Sequence, residues 1–245
     1  MYLIGDLLVD AKFEFDIMKS RSKPFIVSNE ENRKCDICIP NLQNSIYRLK
    51  KEHPNLSYGQ CEVLQSARYI FNCLVQIHMF FLHASVVVVN NEAYVFCAQN
   101  GGGKSTHAKL WIKYFGTKAY SFCDDRPIIG LIGNDLYVWS SPWSKVSNEH
   151  IQKKVKVHGI YILKKAIENK IKKLCKEEGI KAIMSQYPLQ DKFRIRQTII
   201  LVLSRLLNDI GIFELRCNTS IDSVKLVYEE TKKMDVKNKR YNSDI

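Results

Sequence analysis

Phe96 to Trp111 reads FCAQNGGGKSTHAKLW, and these residue types suit the binding of phosphate oxygens. Consecutive glycines let backbone N–H groups converge on an anion, and a helix that starts at the lysine adds the positive end of its dipole. In that arrangement Asn100, Gly101, Gly102, Gly103, Lys104, Ser105 and Thr106 cradle a nucleotide. Lys104 reaches the β- and γ-phosphates, and the Ser105 hydroxyl ligates Mg2+. Further on, SFCDDRP ends in the paired acids Asp124 and Asp125. One carboxylate can hold Mg2+ and the other can take the proton of an attacking hydroxyl. His83, in LHASVV, begins the strand before the loop strand and is a candidate hydrogen-bond donor near the phosphates. Each feature also has a plainer reading: a glycine-rich turn with a surface lysine, a solvated Asp-Asp-x-Pro turn, and a packing histidine. Their combination favours the site. His107, inside the loop helix, reads as a surface or packing residue.

These residues need strands and helices to hold them. HASVVVV and AYVFCA read as buried strands joined by the hairpin turn NNE, and THAKLWIKYF as a helix ending near Gly116. AYSFC, LYVWSSPW, VHGIYIL and GIFELRC read as further strands, with helices over FRIRQTIILVLSRLL and SIDSVKLVYEETKK. Ser57 and Gln60 form a capping box for a helix carrying Val63, Leu64, Ala67, Ile70, Phe71, Leu74 and Ile77. The first sixty residues, with MYLIGDLLVD, FEFDIM, PFIVS and CDICIP, suggest short strands and turns. The expected architecture is α/β with a mixed sheet. It forms one domain over 1–233, with a strand-rich part at 1–56, a nucleotide-binding core at 57–233, and a disordered polar tail at 234–245.

Composition narrows the class. The 245 residues are 46% hydrophobic and 25% charged, which excludes fibrous and disordered chains. A formal charge of +12 favours anionic partners. The lysines from Lys153 to Lys176 raise a nucleic-acid reading, but no nucleic-acid motif accompanies them, so solvated faces are favoured, with a docking surface for an acidic peptide as a further reading. Tyr69–Val89 is long enough to span a membrane. Asn72, Gln76, His78 and His83 interrupt it, so a buried helix running into a buried strand is expected, without membrane attachment. Met1–Ala11 lacks the pattern of an export signal, and the eight cysteines are expected to be reduced thiols in the cytoplasm. CDIC at Cys35–Cys38 has a metal-like spacing without a second such pair, and coincidence is the better reading.

At the level of motifs, FLHASVVVVNNEAYVFCAQNGGGKSTHAKLW, FCDDRP and SSPWS resemble the HPr kinase/phosphorylase-like proteins, whose catalytic core shares the phosphoenolpyruvate carboxykinase fold. VHGIYILKKAIENKIKKL and GIFELRCNTSIDSVKLVYEE are similar to the family's later elements. The resemblance runs from about Ser57 to Glu230 and is strongest at the loop and the acids. It implies nucleotide phosphates on Lys104 and Ser105, Asp124 as acid/base toward a substrate serine, and His83 close by. Asp125 becomes the second acid, with a metal or positioning role. It also implies ATP or GTP with Mg2+, a peptide or small-protein acceptor, and self-association. The chain resembles the short stand-alone relatives, some of which phosphorylate serine on precursor peptides.

Three departures stand out. Ala98 occupies the first glycine position of the loop, Cys123 precedes the acids, and SSPWSKV replaces Gly-Thr-Pro-Trp-Ser-Gly-Lys. Two other readings therefore stay open: a nucleotide-binding partner protein without turnover, and a kinase of small-molecule hydroxyls.

Overall fold

The computed structural model describes residues 1–28, 33–146, 153–185, 193–206 and 210–243. The chain opens with a hairpin, β1 (Tyr2–Ile4) and β2 (Leu7–Asp10), turned through Gly5 and Asp6 at positive φ. The alternation in FEFDIM predicts a strand next, but α1 (Asp16–Ser22) forms instead. Met18 and Ser22, four apart, share its buried face, and Asp16 complements the dipole in its first turn. β3 (Ile37–Cys38) pairs with β2 and completes a three-stranded sheet. A second helix that the sequence reading passed over, α2 (Gln43–Glu52), then leads to α3 (Tyr58–Gln76).

At the start of α3 the capping box closes in both directions. Gln60 N–H donates to Ser57 Oγ at 3.1 Å and Ser57 N–H donates to Gln60 Oε1 at 2.7 Å. Ala67, Ile70 and Leu74 line the buried stripe of this helix. They join a cluster with Ile4, Phe25, Phe81 and Trp143 that ties the small sheet to the rest of the chain. His78, at φ +61, turns the chain out of α3, so the apolar stretch from Tyr69 breaks into a helix and two strands. Among the described residues, no helix is long and apolar enough to cross a membrane.

The remaining elements are β4 (Met79–Phe81), β5 (Ala84–Val89), β6 (Glu92–Cys97), α4 (Lys104–Phe115), β7 (Ala119–Asp125), β8 (Ile128–Ile132) and β9 (Asp135–Trp139). After these come β10 (Lys145–Val146), β11 (Lys154–Lys165), β12 (Lys170–Lys173), α5 (Lys176–Met184), α6 (Phe193–Leu206), β13 (Gly211–Cys217) and α7 (Asp222–Ser243). The backbone of α7 carries on past 233, where the sequence sets a tail; no glycine or proline interrupts it.

Ten of the described strands make one mixed sheet, in the order β10-β7-β5-β6-β11-β9-β8-β4, with β13 beside β11 and β12 outside β13. β5 and β6 are an antiparallel hairpin turned through Asn90 and Asn91, both at positive φ as a two-residue hairpin turn requires. β11 runs parallel to both β6 and β13. The valine run of β5 is buried throughout because both faces of the sheet are covered. Val86 and Val88 pack in a cluster with Val75 of α3, Ile183 of α5 and Ile199 of α6. Val87 and Val89 face Trp111 of α4 and Val224 and Val227 of α7. Each such side chain contributes roughly 1.5–3 kcal/mol on burial.

This topology fixes where chemistry can occur. β7 is antiparallel to β5, which is antiparallel to β6, so β7, β6, β11 and β13 all end at one edge of the sheet. Ligands of open α/β sheets bind outside the carboxyl ends of strands.

Candidate active site

The glycine loop joins the end of β6 to the start of α4, and its three glycines are needed for different reasons. Gly101 (φ +73) and Gly103 (φ +94) hold the left-handed backbone, with nothing within 4 Å of where a Cβ would stand. A Cβ on Gly102 would lie 2.5 Å from the Ala98 methyl and 2.8 Å from the Gln99 carbonyl oxygen. Ala98 itself is buried and is not among the residues at positive φ, so its methyl fits the position where the usual pattern has glycine. Asn100 is exposed at the loop tip.

Lys104 is only 8% exposed, and its Nζ donates to the Ala98 carbonyl at 3.0 Å. Burial lowers the pKa of this ammonium, against the raising influence of Cys97, Asp124 and Asp125. The positive charge thus sits inside the loop, among the groups that would surround a phosphate.

The acids come from the end of β7. Register pairs Ser85 with Asp124 and Ala84 with Asp125 across the β5–β7 ladder. Ser85 donates its hydroxyl to Asp124 Oδ1. Ser105 donates to Asp124 Oδ2 at 2.7 Å, so the helix that follows the glycine loop is bonded directly to the acid strand. Asp125 sits at φ +85, and its Oδ1 lies 3.7 Å from His83 Nε2. Burial pushes the His83 pKa down, Lys104 adds to that, and Asp125 opposes it. The balance of these influences favours the neutral ring. Lys104, Ser105, Asp124, Asp125 and His83 form one cluster, as their spacing suggests, whereas Thr106 lines a cavity on the other side of the loop.

Two contributions escaped the sequence. Ser85 is one; its signal is a lone hydroxyl in a run of valines. The other is SSPWS, which the pattern of LYVWSSPW predicts as strand. β9 ends at Trp139, and the residues after it fold into a buried brace. Ser141 Oγ donates to the Arg126 carbonyl at 2.9 Å, Ser144 Oγ to the Ser141 carbonyl at 2.7 Å, and Trp143 Nε1 to Ser66 Oγ at 3.0 Å. The chain then pairs along β7, Lys145 opposite Asp124. The Ser141 and Ser144 hydroxyls are given to backbone carbonyls here, and the first of these bonds holds the Asp-Asp-Arg turn in place.

Two cavities flank the loop on the side away from the acids. The smaller, about 380 Å³, lies between α4 and the β13–α7 turn. The larger, about 770 Å³, is lined by Lys164, Lys165, Lys172, Lys181 and Arg216, with Glu178 and Glu214 among them. The lysine run that suggested nucleic acid is split. Lys154 and Lys156 pair with Asp6 and Asp135 at one end of β11, and Lys164 pairs with Glu214 at the other. The two groups sit toward opposite ends of this twelve-residue strand, which rises about 3.3 Å per residue.

Among the described residues, no three His, Cys, Asp or Glu side chains could together cage a metal ion. Mg2+ shared with a nucleotide needs no such cage: one or two carboxylates suffice beside phosphate and water. The hydroxyl of Ser105 against the carboxylate of Asp124 is a hard-oxygen pair of that kind and fits the ion.

His107, a turn into α4, is 3% exposed; its Nε2 accepts from Trp111 Nε1 at 3.1 Å. Burial drives its pKa from 6.5 to about 4. Folding therefore resists protonation of this ring, so its contribution to stability is complete above pH 6.5 and is lost as pH falls toward 4. The loss amounts to about 3 kcal/mol. Urea unfolding at pH 7 and pH 4.5 checks this: a His107→Gln variant should lose less stability than wild type on acidification. Equal losses would remove His107 as the cause.

Neither a family model nor a curated protein sequence matches the chain. Among solved structures, it is similar to the HPr(Ser) kinase/phosphatase from Coxiella burnetii. The identity is 11% and the TM-score 0.38, over 63% of this chain and 98% of that one. A likeness of that size carries no functional argument by itself.

Proposed function

We propose that the chain is an HPr kinase/phosphorylase-like enzyme, a Mg2+-dependent kinase that moves the γ-phosphate of ATP or GTP to a serine hydroxyl of a peptide or small protein. A cytoplasmic setting and self-association belong to the same proposal. The observation that carries it is the hydrogen bond from Ser105 to Asp124, which locks the phosphate cradle onto the acid strand. Phosphoryl transfer depends on positioning and electrostatics more than on covalent chemistry, so a rigid join of this kind is what the reaction needs.

Lys104 and the amides of Gly101–Gly103 bind the phosphate oxygens, and the ammonium leaves the Ala98 carbonyl to do so. Ser105 and Asp124 would hold Mg2+, which when bound spreads and neutralises phosphate charge. The hydrogen bonds favour exchanging the roles that the family resemblance gives the two acids. Asp124 already accepts from two hydroxyls, so it is fixed in place, which suits a metal ligand better than a mobile proton acceptor. Asp125 is half-exposed beside neutral His83 and is the freer proton acceptor. In the transfer step the serine oxygen bonds to the γ-phosphorus and the bond to the bridging oxygen breaks. The hydroxyl proton passes to Asp125, and the nucleoside diphosphate leaves.

The test uses γ-labelled ATP, Mg2+ and a library of serine peptides. Asp125→Asn should retain ATP binding and lose about 10²–10⁴ in kcat. Asp124→Asn should instead lose the Mg2+-dependent part of ATP affinity. Equal labelling by wild type and Asp125→Asn would sink the proton acceptor. ATP binding without transfer to any acceptor would mark a non-catalytic partner protein, and transfer to free serine alone a small-molecule kinase.

A further inference from the structure

The larger cavity, about 770 Å³, has the usual size of a ligand pocket, and no step of the proposed transfer takes place in it. Ile162, Leu163 and Leu174 give it an apolar lining, and its charged residues are mostly basic. Sheet register explains the charge. Lys164 of β11 and Lys170 of β12 both pair with Arg216 of β13, so three cations stand in one row across three strands. Like charges placed directly opposite cost stability. Glu214 relieves part of the row, at 2.6 Å from Lys164 and 2.9 Å from Arg216, and Glu168 lies 2.6 Å from Lys170. Glu178 lies 3.1 Å from Lys172. Both carboxylates of the cavity are then engaged.

Two further cations remain. Lys165, at the end of β11, and Lys181, on α5, line the cavity and are exposed; among the described residues neither has a carboxylate within ion-pair distance. A lone exposed lysine is ordinary solvated surface. Here two of them share an apolar hollow with a row already crowded by like charge. The glutamates decide which anion fits. A dense polyanion such as a nucleic-acid backbone would bring phosphates against Glu178 and Glu214 as well as the lysines. A pair of separate carboxylates needs only Lys165 and Lys181, and an apolar side chain between them suits the lining. Position supplies the rest, because Ala98, Gln99 and Gly102 carry the cavity wall onto the glycine loop. In the sheet, β11 and β13 lie three and four strands from β7, which bears the acids. At about 4.8 Å per strand that is roughly 14–19 Å, which an extended peptide crosses in about four to six residues.

We infer that this cavity docks an acidic segment of the acceptor peptide, whose carboxylates meet Lys165 and Lys181 about four to six residues from the serine. The inference rests on the kinase reading above and narrows its substrate class to serines with acidic residues at that remove.

The probes are fluorescein-labelled serine peptides carrying Glu-Leu-Glu about five residues before or after the serine, each with a Gln-Leu-Gln counterpart. They are titrated by anisotropy, without nucleotide, into the full chain as wild type, Lys165→Gln/Lys181→Gln and Lys113→Gln/Lys118→Gln. The last pair is a control for net charge, since both lysines are exposed at the end of α4 away from the loop. One acidic peptide should bind wild type about three- to tenfold more tightly than its counterpart, as two exposed ion pairs imply. That advantage should shrink to within about twofold in Lys165→Gln/Lys181→Gln and persist in the control. Acidic peptides no tighter than their counterparts, or an advantage lost equally in the control, would overturn the docking. Displacement by Mg·ATP would overturn it by giving the cavity to the nucleotide, and so would tighter binding of an RNA oligomer through the same two lysines. Transfer from labelled ATP to all four peptides at equal KM would overturn the docking and leave the kinase reading standing. Docking as expected, with no transfer to any peptide, would instead remove the kinase reading, and the acceptor role of the docked segment with it.

Discussion

Under the proposed function, Lys104→Met is expected to cut kcat/KM for phosphoryl transfer by about 10²–10³ while leaving the fold intact. A preorganised donor in a water-excluded site is worth that much to developing charge. Methionine has similar reach and no charge, and two effects on stability oppose each other. The Ala98 carbonyl loses its donor, but the desolvated ammonium disappears as well. The net change should therefore stay within about 1 kcal/mol. Steady-state transfer and a thermal melt check both halves. Wild-type turnover in the variant would remove Lys104 from the machinery, and a large drop in Tm would reassign it to the core.

The second large effect falls on stability. Trp111 is fully buried, and its ring meets Tyr94 at 4.4 Å, Phe96 at 5.3 Å, Phe115 at 5.5 Å and Tyr228 at 6.4 Å. It joins α4 to β6 beneath and to α7 alongside. Trp111→Ala should cost about 3–5 kcal/mol, the usual loss for a large aromatic removed from a packed core. For a chain of this size that is a fall in Tm of roughly 6–20 °C. Lys104 opens the same helix, so nucleotide affinity should weaken together with stability. A Tm within about 2 °C of wild type would mean that the cluster repacks without it.

Local chemistry was legible in the sequence. The Ser57–Gln60 cap, the Asn-Asn hairpin turn and the loop-to-helix passage each depend on residues a few positions apart, and each forms as its pattern requires. The candidate cluster was legible as a set of residues because strand order carries them to one edge. Their bonding was not. The Ser85–Asp124 contact spans 39 positions and Ser105–Asp124 spans 19, and no local pattern encodes them. Family resemblance alone would give Asp124 the proton, whereas the two hydroxyls on its carboxylate argue for Asp125. Near the N-terminus, short runs of apolar residues fit strand and helix equally well. Packing of Met18 and Ile46 decided for helices there. SSPWS has the composition of a binding loop, yet Ser141 and Ser144 are turned inward to carbonyls, which only the fold could reveal.

From β7 across β6 to β11 and β13, the shared edge carries a gradient of charge. At the β7 end stand two carboxylates, at the centre a caged ammonium, and toward β11 and β13 four lysines and an arginine against two glutamates. Such an edge has a direction. A molecule with an anionic and a cationic end feels a torque as it approaches and arrives already turned, before any side chain has closed on it. Added salt would blunt that alignment long before it loosened a contact.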